Sequence, residues 1–192
     1  MNEPIPLDKP PYFLIAMPQL LDPNFHRSVV LVFNRSQEGI LGLVINRPTP
    51  LLLKGLTIPD VSVDKSLTEV PIWFGGPVEP NRIWLLHKTK SPSTPESMPI
   101  ADGVQLGAPF RFLDERAGGD LLQPEEFKLL IGYAAWQPGQ LAEELQAASW
   151  LASPVDPKLL LETPPEKIWE KAVRNFGIEP TQLATDTSSS LQ

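Results

Sequence analysis

Proline constrains this chain more than any other residue. It supplies 23 of the 192 positions, about 12% where roughly 5% is usual. Each proline fixes φ and removes a backbone N–H donor, so it is excluded from helix interiors and from central positions in a sheet. Prolines this closely spaced rule out long helices and leave short strands, short helices and turns. The chain still has the means to fold: 42% of its residues are hydrophobic, and its length suits one domain with a substantial core.

Between the prolines, apolar runs mark the strands. Tyr12 to Met17 is a short one ended by Pro18, followed by a turn or single helical turn at Asp22-Pro23-Asn24-Phe25. Ser28–Phe33 (SVVLVF) and Gly39–Asn46 (GILGLVIN) are rich in β-branched residues and almost continuously apolar, which predicts strands buried on both faces. The polar residues 34–38 make them a hairpin with a medium loop, and Arg47-Pro48 closes the second strand. Residues 49–69 read as a brief helix or an irregular connection. Short strands follow at 71–74 and 83–87 around Gly75-Gly76-Pro77, then a proline-rich loop at 88–101 and extended chain at 103–112. Phe127–Trp136 (FKLLIGYAAW) reads as a buried strand.

The last third reads as helical. Pro138 suits a first helical position, with Leu141, Leu145 and Ala148 on one face. In the final helix Thr163 and Glu166 form a capping-box pattern around Pro164, and Ile168, Trp169, Ala172, Val173 and Phe176 make an apolar stripe before a C-cap at Gly177. Residues 1–10 are predicted to be an extended arm, 11–180 a single α+β domain, and 181–192 a frayed polar tail.

Composition excludes several kinds of chemistry. Cysteine is absent, which removes disulfides, thiol catalysis and thiolate metal sites and suits a reducing compartment. The N-terminal apolar stretch is too short for a signal peptide or a membrane span, so a cytoplasmic protein is expected. Net charge is −7 and falls wholly on residues 97–192, with residues 1–96 neutral. Without a basic run, direct nucleic-acid binding is disfavoured.

Candidate sites are few. There is no nucleophile elbow, P-loop, dinucleotide fingerprint or zinc-protease motif, and no catalytic residue, metal or cofactor is assigned. Gly75-Gly76-Pro77 either makes a tight turn or cradles an anion with bare backbone amides. His26 reads as a surface or capping histidine and His87 as a hydrogen-bonded edge residue. Arg27 and Arg47 border the same end of the predicted hairpin with Asn46 beside them. Two guanidiniums and an amide suit a carboxylate or phosphate, or the arginines pair with Asp22, Glu79 or other acids and lock the turns. In residues 133–140, Trp136 and Gln140 form either an anion-binding helix start or a packed corner.

Four blocks occur together in one order: FLIAMPQLLDPNFHRSVVLVF, EGILGLVINRP, IWFGGPVEPNR with the following LLH, and IGYAAWQPGQLAEELQAASWL. Jointly they resemble the YqgE/AlgH family of bacterial and plastid proteins, over roughly residues 11–178. Ala135 stands where that family commonly has glycine in GYAGW, and residues 88–122 match poorly. The resemblance implies one α+β domain with a mixed, partly barrel-like sheet flanked by helices. Some family members carry a transcriptional-regulator label. The expectation is a non-catalytic cytoplasmic (bacterial or plastid-stromal) binding or regulatory module acting on a protein partner or a small anionic ligand. The alternative is a cryptic enzyme or anion sensor using Arg27, Asn46 and Arg47. The candidate ligand-binding residues are thus Arg27, Asn46, Arg47, Gly75 and Gly76.

Overall fold

The twice-buried strands form the spine of a curled sheet in the computed structural model, which describes residues 6–89, 95–108, 110–116 and 121–179. In chain order the elements are β1 (Tyr12–Ala16), β2 (Val29–Ser36), β3 (Gly39–Val44), β4 (Pro48–Leu52), β5 (Pro71–Phe74), β6 (Val78–Lys88), β7 (Ser97–Ala101) and β8 (Val104–Gly107). Then come β9 (Phe127–Trp136), α1 (Gln140–Gln146), β10 (Trp150–Ser153), α2 (Pro157–Leu161) and α3 (Pro165–Arg174). The strand order is β10-β1-β2-β3-β9-β6-β8-β7, with β5 parallel to β9 and β4 antiparallel to β5. This is a single α+β domain, and no helix among the described residues is long and apolar enough to cross a membrane.

Continuous apolar runs follow from the layering. Phe13, Ile15, Val29, Leu31, Leu43 and Ile45 face a core that includes Ile168, Trp169, Ala172 and Val173 of α3. Their neighbours Tyr12, Leu14, Val30, Val32 and Val44 face a second core with Trp136, Leu141 and Trp150. A third core lies against β5, β6 and β9, built from Leu53, Leu67, Leu85, Phe112 and Leu129 among others. Every residue of β1 is buried, so a period-2 polar alternation has no solvent face to serve.

β9 organises the middle of the molecule. Along one side it pairs with β5 at residues 129–131 and then with β3 at 134–136, while β6 covers the other side. Gly75 bridges the gap between β5 and β3: its N–H donates to the Ile131 carbonyl at 2.8 Å and its carbonyl accepts from Val44 N–H at 2.8 Å. A Cβ on Gly76, whose φ is +154°, would overlap the Tyr133 backbone. The paired glycines are therefore required by the approach of two backbones.

The prolines act where the sheet would otherwise stay open. β4 carries Pro48 and Pro50 and pairs only with β5; β7 carries Pro99 and pairs only with β8. Proline on such edges withholds the N–H groups that template association with another chain. Pro80 lies in the register shift of β6 between Val78 and Ile83.

Several expectations change. The 34–38 loop is shorter than predicted, because Asn34, Arg35 and Ser36 continue β2 past a bulge and pair with β3. Pro48 opens β4 instead of only closing β3, and part of the 88–101 loop is β7. Residues 7–9, the described part of the N-terminal arm bar its ends, form a turn with Leu7 packed on the second core. The last third is not all helical: β10 covers the free edge of β1. The capping box does not form, since Pro164-Pro165 moves the start of α3 to Pro165, and Thr163 Oγ1 instead donates to the Lys158 carbonyl at 2.9 Å. Pro138 precedes Gly139, the N-cap of α1, so it lies outside the helix. Residues 1–5, 90–94 and the 181–192 tail lie outside the described residues.

Candidate functional site

The hairpin brings Arg27, Asn46 and Arg47 together, as their positions at the strand ends predict. The side chains of Asn46 and Arg47, however, turn inward onto the 22–29 turn, while the Arg27 guanidinium stays exposed. Arg47 donates through Nη1 to the Pro23 carbonyl at 2.5 Å and through Nη2 to the His26 carbonyl at 2.7 Å. Asn46 accepts from Val29 N–H and donates to the Arg27 carbonyl, both at 2.9 Å. Arg27 has φ +52°, an uncommon backbone state for a non-glycine residue, and its guanidinium lies 5.2 Å from the centroid of the Trp169 ring. Burial lowers the Arg47 pKa, and Asp22 opposes that shift.

This geometry locks a strained turn. The partners are carbonyls rather than the carboxylates expected from sequence: Asp22 accepts from Asn24 N–H, and Glu79 accepts from Tyr133 OH. Gly75 and Gly76 adjoin this corner, since Phe74 N–H donates to the Arg47 carbonyl at 2.8 Å, but they are buried against β9 with the Gly75 amide already donating. His26 Nδ1 lies 3.3 Å from the Leu20 carbonyl on the exposed turn. His87 is fully buried on β6, an interior strand and not an edge, with its ring nitrogens 2.8 Å from the Lys88 carbonyl and 3.0 Å from Ser97 Oγ.

Of the two readings of residues 133–140, the packed corner fits the contacts. Gln140 Oε1 accepts from Gln137 N–H at 3.0 Å, capping the turn. Both the Trp136 and Trp150 indoles donate to Glu144 Oε2, at 2.9 and 2.7 Å, and Gln140 Nε2 donates to the other oxygen. Glu144 thus anchors two indoles.

An open cleft of about 520 Å³ runs beside this corner, between the tip of the β2–β3 hairpin and the end of β9. Ile40, Leu41 and Trp136 line it with Asn34, Glu38, Tyr133 and Gln137. The exposed carboxamides of Asn34 and Gln137 have no protein partner among the described residues, so they present donors and acceptors to whatever enters. Sequence reading passed over the cleft because residues 34–38 look like an ordinary loop.

Sequence reading also missed Lys128. It is 4% exposed and its Nζ donates to the Ile45 carbonyl at 3.0 Å and lies 4.2 Å from the centroid of the Trp73 ring. No described carboxylate pairs with it. Desolvation lowers its pKa to about 7. The signal was present: Lys128 is the one charge inside FKLLIGYAAW.

The comparisons agree with this architecture. Residues 13–181 match the family described as AlgH-like. A UPF0301 protein of Thioalkalivibrio sulfidiphilus is 36% identical over 175 residues, covering 91% of this chain and 92% of the relative. The solution structure of the AlgH protein from Pseudomonas aeruginosa superposes with a TM-score of 0.72 at 32% identity, covering 96% of this chain and 97% of that one. A crystal structure of a Corynebacterium diphtheriae protein shares the fold, with a TM-score of 0.71 at 22% identity, covering 95% and 92%.

Proposed function

The chain belongs to the AlgH-like family, and we propose that it is a non-catalytic cytoplasmic binding module whose cleft beside the β2–β3 hairpin receives an extended peptide segment of a protein partner. The observation that carries this reading is the pair of unengaged carboxamides, Asn34 and Gln137, lining one cleft with Ile40, Leu41 and Trp136. Carboxamides offer a donor and an acceptor together, which is what a peptide backbone presents. The partly exposed Leu41 and Tyr133 then supply contact area, and Glu38 favours a basic side chain. At the arginine corner, Arg47 spends two donors on the turn, which leaves Arg27 alone to face solvent and weakens the case for a small anion there. The net charge of −7 favours a protein over a nucleic-acid partner, and the lack of cysteine suits a reducing cytoplasm.

A displayed library of random heptapeptides tests the reading. Peptides carrying Lys or Arg should enrich on the wild-type chain and lose at least about tenfold in affinity on an Asn34→Ala, Gln137→Ala double variant, the loss of two modest hydrogen bonds. Enrichment unchanged by that variant, or none at all, overturns it.

A further inference from the structure

A second cleft, of about 240 Å³, opens where β5 and the start of β9 meet the α2–α3 connection, and it shares no lining residue with the hairpin cleft. Lys128 borders it. The geometry points to this cleft as a site where a small neutral aldehyde or ketone condenses reversibly with the Lys128 amine.

Three features converge on that assignment. First, the amine is held rigidly: one N–H donates to the Ile45 carbonyl and the Trp73 ring packs against the nitrogen. In the neutral amine the lone pair then stays available. No described carboxylate pairs with the ammonium, and desolvation outweighs the carbonyl and the indole face, keeping a large neutral fraction at neutral pH. Second, the walls are apolar (Val70, Trp73, Phe127 and Leu161), which limits the water that would hydrolyse an imine. Third, the other charged residues lining the cleft are Glu125 and Glu162, both exposed. Two carboxylates disfavour a carboxylate or phosphate ligand and leave an uncharged carbonyl compound as the class that fits. The volume of about 240 Å³ equals about eight liquid waters at about 30 Å³ each, which suits a small carbonyl compound.

The chemistry balances without a redox partner. The Nζ lone pair adds to the carbonyl carbon, the C=O π pair moves to oxygen, and a proton passes from nitrogen to that oxygen. The carbinolamine then loses its oxygen as water, with the remaining nitrogen proton, and a C=N bond forms. Hydrolysis reverses each step.

Incubating the full chain with isobutyraldehyde and cyanoborohydride at pH 7, followed by peptide mass mapping, tests the assignment. About half of an amine with a pKa near 7 is neutral there, against roughly one in 3,000 for an ordinary lysine. Lys128 should therefore be alkylated at least about tenfold faster than Lys54 or Lys158, even after allowing for its lower intrinsic nucleophilicity. The rate should saturate with aldehyde. Leu161→Trp, which fills the cleft, should abolish the excess at Lys128 and leave Lys54 unchanged. Glu162→Gln, at an exposed position that leaves the core intact, should raise labelling of Lys128 by the anionic aldehyde glyoxylate several-fold relative to isobutyraldehyde. Labelling of Lys128 no faster than Lys54, or an unsaturable rate indifferent to both substitutions, overturns the proposal.

Discussion

The corner at residues 22–29 and the cleft at residue 128 both set cationic side chains against buried strands, and they treat the charge in opposite ways. At the corner, Arg47 spreads its charge over two carbonyls while staying partly exposed. Arg27 remains in solvent above an indole ring. At the cleft, Lys128 is withdrawn from water with one carbonyl and one indole face. A guanidinium carries five donors in a fixed fork and suits the role of clamp, whereas an ammonium is a compact, strongly hydrated charge whose pKa yields when it is buried. An arginine next to a hairpin can thus serve as a clamp, as Arg47 does, while an isolated lysine in an apolar run is the group whose chemistry has been altered.

Substitution at Lys128 should give the largest effect. Its folded pKa of about 7 lies below the unfolded value near 10.5. Between those values the unfolded chain binds more protons than the folded one, so stability rises with pH across that window and is flat below it. Lys128→Met removes the buried charge and should raise Tm at pH 7 by roughly 5–10 °C, with the gain shrinking toward zero by pH 10. A thermal-melt series over pH 6–10 on both proteins checks the sign. A Lys128→Met chain that melts lower than wild type at pH 7 would show that the buried amine stabilises the fold as the arginine clamp does.

At the corner, Asn46→Ala leaves the Val29 amide and the Arg27 carbonyl without their partner. The expected loss is about 2 kcal/mol by urea denaturation, with little pH dependence from 6 to 10. The smallest effect belongs to Arg27→Ala, about 0.5–1 kcal/mol for an exposed cation over an aromatic face. A loss from Arg27→Ala exceeding that from Asn46→Ala would show that the cation, and not the amide, holds the turn.

Legibility in the sequence followed the same division. The apolar runs of β1, β2, β3 and β9 could be read directly, because burial on both faces leaves no polar alternation to misplace them. The α3 stripe was equally plain, since Ile168, Trp169, Ala172 and Val173 all fall on the face that packs on β1 and β2. β10 was missed because WLAS is only four residues long and exists to cover the edge of β1, a tertiary need with no local pattern. The capping box failed for a local reason: the second proline, Pro165, shifts the helix start by one residue. For the site, spacing along the hairpin placed Arg27, Asn46 and Arg47 together but could not say which way their donors point. Lys128 was overlooked because one charge in a strand usually faces solvent, and only the packing of Trp73 and Ile45 around it shows otherwise.

The contrast between the two regions rests on the charge state of one amine, which can be measured directly. Lysine labelled with ¹³C at Cε, titrated by NMR from pH 5 to 11 and assigned through the loss of one resonance in Lys128→Met, reports that state. The Lys128 resonance should titrate near pH 7 while the chain remains folded. A Lys128 resonance that stays in its charged position beyond pH 10 would contradict it.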